Sequence, residues 1–162
     1  MKSINYILPF LCSFWILNAY SSDDDVASCP QIESATMTIN GEIMDFEIFG
    51  RGIDLDNDGS GHTLSLYLSS GYYSPQQNTY AVTLKLPYKE TGTNIVEEFN
   101  YLRVENATSA EGDFVQSQLE SHVTVNKNTC FSATFSGSAT IGGNDVVITG
   151  GEINHVYTDP FD

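Results

Sequence analysis

From residue 35 onward, apolar side chains recur at every second position, and Val, Ile, Thr, Tyr and Phe dominate the runs. A period of two is strand chemistry, because successive side chains of an extended chain point to opposite faces. Met37 and Ile39 alternate with Thr36 and Thr38, and Met44, Phe46 and Ile48 resume the pattern. Between them Asn40-Gly41 supplies the two positive φ angles of a tight hairpin turn. Leu64, Leu66 and Leu68 then alternate with Thr63, Ser65 and Tyr67, and Tyr80, Val82, Leu84 and Leu86 with Thr79, Ala81, Thr83 and Lys85. Val115, Leu119, Val123 and Val125 share one phase, opposite Gln116, Gln118, Glu120 and His122. Phe131, Ala133 and Phe135 lead through Gly142-Gly143 into Val146 and Ile148, and a short last strand is expected near Ile153 to Tyr157. Between Ile95 and Val104 the pattern is ambiguous: Phe99 and Tyr101 alternate, Leu102 enters out of phase, and a bulge or short helical turn is expected.

About seven to nine short, turn-rich strands with one oily face each predict an all-β fold, an antiparallel β-sandwich, with a closed β-barrel as the alternative. The remaining length suffices for one domain, over residues 35–162, and no composition shift marks a second.

The N-terminus has a different pattern. Lys2 precedes an apolar run from Ile4 to Ala19 that stops at Tyr20-Ser21-Ser22-Asp23-Asp24-Asp25. A charged start, a short apolar core and a polar exit predict an export signal over residues 1–20. Pro9 and Asn18 interrupt a run already short for a hydrocarbon core of about 30 Å, so a removable leader is favoured over an uncleaved membrane anchor. Residues 21–34 read as an acidic, flexible spacer. The expected location is extracytoplasmic: periplasm, outer-membrane surface or secreted.

Charge narrows the partners. The chain carries 6 Lys and Arg against 21 Asp and Glu, a net charge of −15. Past the leader the basic residues are Arg51, Lys85, Lys89, Arg103 and Lys127, spread along the chain. Such a surface repels polyanions, which argues against nucleic acid and against anionic membrane surfaces.

Asp54-Leu55-Asp56-Asn57-Asp58-Gly59 matches the start of a calcium loop: carboxylates at alternating positions, then a glycine for the sharp turn. The twelfth position, where a complete loop has a bidentate carboxylate, is Ser65. That excludes a helix–loop–helix site and leaves Asp54, Asp56 and Asp58 as candidate Ca²⁺ ligands in an acidic hairpin, against the plainer reading of a turn whose side chains bond their own backbone. The role of such an ion would be to stiffen the loop.

Cys12 falls within the leader, so Cys29 and Cys130 form an even pair in an oxidising compartment. A disulfide, two free thiols and acylation of Cys29, whose preceding Val26-Ala27-Ser28 fits lipobox letters, are the alternatives. No catalytic constellation is apparent. His62, His122 and His155 are scattered, and Glu97 and Glu98, adjacent on a strand, point to opposite faces and cannot flank one glycosidic bond. Tyr67, Tyr72, Tyr73 and Tyr88 fall on outward phases or loops, and Tyr72 and Tyr73 are candidate ligand contacts for a sugar face.

The junction Leu17-Asn18-Ala19-Tyr20-Ser21-Ser22-Asp23-Asp24-Asp25 resembles that of Bacteroidetes-type lipoproteins, in which a cysteine precedes serines and an acidic run. Tyr20 stands in the cysteine's place, and a phenol cannot form the lipid thioether. Phe131 to Thr140 with Val146 to Ile153 is similar to the ending of uncharacterised lipoproteins of the same bacteria, which close with a Phe-Ser-Gly hairpin and an Ile-Thr-x-Gly segment. The resemblance implies an extracytoplasmic β domain and brings no catalytic residue with it. Taken together, the expectation is an exported, non-enzymatic binding or structural module with an unidentified protein or glycan partner, touching a membrane only through an uncleaved leader or lipid. A carbohydrate-binding module and an extracytoplasmic hydrolase are the alternatives.

Calcium at the Asp54 loop predicts a melting temperature that rises with millimolar Ca²⁺ and falls again with chelator. The double substitution Asp56→Ala/Asp58→Ala should abolish the response; an equal response in that variant would remove the ion from this loop.

Overall fold

A computed structural model describes residues 27–55, 62–71 and 78–161. Two antiparallel sheets face one another, and neither closes into a barrel. The six-stranded sheet has the order β2-β1-β11-β10-β9-β6, from β1 (Ser34–Ile39), β2 (Glu42–Asp45), β6 (Gly92–Thr93), β9 (Leu119–Asn126), β10 (Cys130–Ile141) and β11 (Asn144–Val156). The five-stranded sheet is β3-β4-β5-β7-β8, from β3 (Glu47–Leu55), β4 (His62–Ser69), β5 (Thr79–Pro87), β7 (Glu98–Glu105) and β8 (Thr108–Asp113).

The sandwich is the expected one, with eleven strands among the described residues. The expected run through Met44, Phe46 and Ile48 is divided, because the chain leaves one sheet for the other at Phe46, whose amide donates to the Ala35 carbonyl at 2.7 Å. β8 went unrecognised: Asn106-Ala107 turns the chain with φ of 49° and 62°, and the strand that follows shows no apolar alternation. Neither the expected bulge nor a helical turn is found between Ile95 and Val104: Ile95 to Glu97 precede the strand, and β7 pairs in unbroken register with β5 and β8. The helical turn lies later, at Gln116–Gln118, and it throws Val115 out of the phase of Leu119, Val123 and Val125, leaving it 55% exposed. The segment from Ile153 continues β11, as one strand with Val146 and Ile148. At Asn40-Gly41 the φ angles are 52° and 89°, and Ile39 faces Glu42 across the predicted hairpin.

The alternating phase forms the core. Leu64, Leu66, Leu68, Leu84, Leu86 and Phe99 of the five-stranded sheet are fully buried against Met37, Phe131, Ile148 and Ile153 of the other. Phe99 ties the layers, with its ring centroid 5.3 Å from those of both Phe114 and Phe135. Each such side chain contributes roughly 1.5–3 kcal/mol by leaving water.

Both ends of the described residues are fastened to this body. The expected spacer is held from Ala27 onward: Lys127 Nζ donates to the Ala27 carbonyl at 2.6 Å, and the Val156 amide donates to Glu33 Oε1 at 3.0 Å. Cys29 and Cys130 are joined as a disulfide, with Cα atoms 5.7 Å apart, so the bonded alternative holds over free thiols and acylation of Cys29. At the other end the guanidinium of Arg51 lies 4.5 Å from the Tyr157 ring centre and 4.3 Å from that of Phe161, and it donates to the Asp159 carbonyl. The leader and residues 21–26 of the spacer fall outside the described residues.

The bridge closes a loop with a sequence separation of 101. Its reduction should lower unfolding free energy by about 2–4 kcal/mol. Urea unfolding of oxidised and reduced protein measures the difference, and coincident curves would mean that the bond adds no constraint.

Candidate functional site

The phase not used by the core covers the outer face of the five-stranded sheet. In register across β4, β5, β7 and β8, Tyr67 faces Thr83, Thr83 faces Asn100, and Asn100 faces Asp113. A second row runs Ser65, Lys85, Glu98, and a third Ser69, Ala81, Leu102, Glu111. The face therefore changes character along the strands. At one end Ala81, Leu102 and Val104 make an apolar groove of about 350 Å³. At the other end polar side chains hold one another in place: Lys85 Nζ donates to Glu98 Oε2 at 2.7 Å, and Asn100 Nδ2 donates to Asp113 Oδ1 at 2.9 Å. The hydrogen bond that Glu98 accepts outweighs partial desolvation and pushes the Lys85 ammonium above its ordinary range, so Lys85 stays charged.

Phe49 sits at the edge of this face because of a register shift. Ile48 pairs with Leu68 and Gly50 with Tyr67, so Phe49 is the extra residue of a bulge in β3 with nothing opposite it. Its ring is 68% exposed and lies 6.3 Å from the Tyr67 ring, tilted at 45°. Gly50 permits that closeness, since a Cβ there would meet Tyr67 Cδ2 at 3.3 Å.

The other residues singled out from the sequence are spread over the molecule. Asp54 is exposed on β3 opposite Thr63, while Asp56 and Asp58 lie outside the described residues. Among the described residues no group of three or more His, Cys, Asp or Glu is placed to hold a metal ion. Tyr72 and Tyr73 also lie outside the described residues; the chain enters that segment at Gly71, which borders the apolar groove. Tyr67 faces outward as its phase requires, whereas Tyr88 packs its ring edge-on against Phe161 at 5.8 Å and presents no free face there. Phe49 and Leu102 were the unrecognised members of the face. Their signal was an apolar residue standing in a polar phase.

The histidines do not converge. His62 is exposed at the start of β4. His122 lies on the outer face of the six-stranded sheet, in an open depression of about 410 Å³ with Glu120 and Glu152. Its Nδ1 is 3.3 Å from Thr93 Oγ1, and among the described residues no hydrogen bond joins it to either carboxylate. His155 stands where the N-terminal arm meets β11, with Nδ1 3.5 Å from Glu33 Oε1 and its ring 5.4 Å from that of Tyr157. Burial pulls its pKa below the ordinary histidine value; Glu33 opposes the shift and Arg51 adds to it.

No family model, curated protein or solved structure matches this chain.

The lowered pKa of His155 gives stability a pH dependence of defined sign. As pH falls through about 6.5 the unfolded chain takes up the proton first, so this contribution is complete above that pH and is lost on the way down to the folded value. Melting curves between pH 8 and pH 5 should decline less steeply for His155→Gln than for the parent. Parallel declines would show that the imidazole titrates alike in both states.

Proposed function

We propose that this chain is an exported, non-enzymatic binding module whose ligand face is the outer surface of the five-stranded sheet. One observation carries the reading: Phe49, a large aromatic side chain left 68% exposed by a bulge, stands beside Tyr67 and a row of mutually hydrogen-bonded polar groups. A Phe side chain left this exposed beside an apolar groove gains little from burial in the isolated domain, and such patches mark contact surfaces. The leader-like N-terminus, the resemblance to Bacteroidetes-type envelope proteins and the Cys29–Cys130 bond together support a place outside the cytoplasm. In this reading calcium at Asp54, Asp56 and Asp58 would stiffen the connection between β3 and β4. Tyr72 and Tyr73, candidate contacts on sequence alone, follow Gly71, which borders the groove.

Hydroxyl-radical footprinting of the protein on or around the cells that export it, compared with the purified protein, tests the location of the face. Phe49 and Tyr67 should be protected severalfold while Val115, exposed elsewhere, is labelled equally in both samples. Equal labelling at all three positions would overturn the assignment.

A further inference from the structure

Resting on that reading, we infer that the ligand of this face is a neutral glycan chain of several sugar rings, running across the strands from the Phe49–Tyr67 pair toward Asn100 and Asp113. The apolar part is small and one-sided. Phe49 is 68% and Tyr67 37% exposed, with rings 6.3 Å apart, and the electron-rich face of an aromatic ring attracts the C–H face of a pyranose. The groove that Phe49 lines with Ala81, Leu102 and Val104, and with Glu47 at its margin, has a volume of about 350 Å³, within the range of small-ligand clefts, and receives the edge of a ring rather than a second protein's core.

The polar part fits hydroxyl groups specifically. Among the described residues Asn100 gives one amide proton to Asp113 and has no partner for the other or for its carbonyl oxygen. Among the same residues Asp113 Oδ2 has no hydrogen-bond partner, Lys85 gives one of its three protons to Glu98, and Glu98 Oε1 has no partner. The row thus offers donors and acceptors side by side on side chains whose partners already hold their orientation. A sugar carrying neighbouring hydroxyls, each both donor and acceptor, is complementary to such a row.

Charge and spacing narrow the ligand further. Glu98, Glu111 and Asp113 stand on the face with Lys85 as its basic group, so an acidic polysaccharide is repelled. A second copy of a chain with net charge −15 is disfavoured for the same reason. Adjacent strands lie about 4.8 Å apart, close to the advance of one ring in an extended glycan. One ring between Phe49 and Tyr67 therefore brings the second between Tyr67 and Thr83, the third between Thr83 and Asn100 and the fourth between Asn100 and Asp113.

Isothermal titration of the folded, oxidised protein with cellohexaose, mannohexaose, xylohexaose and chitohexaose, and with hexagalacturonate as the acidic control, tests the inference. At least one neutral hexasaccharide should bind and the acidic one should not. Affinity should fall about tenfold, or 1.4 kcal/mol, in Phe49→Ala and in Tyr67→Ala, and stay near the parent value in Tyr67→Phe, which keeps the ring, and in Val115→Ala. Raising salt from about 0.05 to 0.5 M should change little, because no ion pair forms across the contact. Binding that Phe49→Ala and Tyr67→Ala both leave unchanged would overturn the placement. Footprinting protection at Phe49 and Tyr67 with no response to any neutral hexasaccharide would overturn the glycan and assign the face to a protein partner, leaving the binding module in place; neither protection nor binding would remove both.

Discussion

The molecule depends on the burial of one side-chain phase between two sheets. Leu64, Leu66, Leu68, Leu84 and Leu86 are fully buried, while their sequence neighbours Ser65, Tyr67 and Lys85 face away from the core. A slip of one residue in any of these pairings would exchange the two sets, sending the leucines into water. The register is therefore held by the core itself. The phase left outside carries no such obligation, and its residues are available for recognition.

That division explains why the candidate face lies on the five-stranded sheet. Its strands β3, β4, β5, β7 and β8 form a continuous meander, interrupted only by the two residues of β6, so one unbroken surface spans the sheet. The six-stranded sheet is less even. β10 and β11 lose register between Phe135 and Gly137, and Gly151 has no room for a side chain, because a Cβ there would collide with the Phe135 ring. Its outer face is a shallow depression holding separated polar residues. The five-stranded sheet instead concentrates exposed aromatic area and fixed hydrogen-bonding groups within a few strand spacings.

Much of this architecture was legible in the residue pattern, for reasons that also set its limits. Strands with one buried face, such as β4 and β5, declare themselves through alternation. β8 is an edge strand of small and acidic residues, and its turn uses Ala107 at positive φ, where glycine or asparagine would be expected. The exposure of Tyr67 follows from its phase alone. That of Phe49 depends on a bulge whose position is set by the pairing with β4, a non-local fact. Likewise Cys29 and Cys130 were visible as a pair, but the choice of a bond over free thiols or acylation required the N-terminal arm to lie against β10. The leader, Asp56, Asp58, Tyr72 and Tyr73 lie outside the described residues, so the calcium and loop-tyrosine expectations stand on sequence.

The Cys29–Cys130 bond encloses every strand of the five-stranded sheet, from Glu47 to Asp113, within a covalent ring, with β10 and β11 as the tail beyond it. A single peptide cut in any loop of that sheet leaves both fragments attached to the same molecule and in the same neighbourhood. The pieces can reassociate at the effective concentration of an intramolecular partner. In surroundings rich in secreted peptidases, such a domain survives nicking that would scatter an open chain.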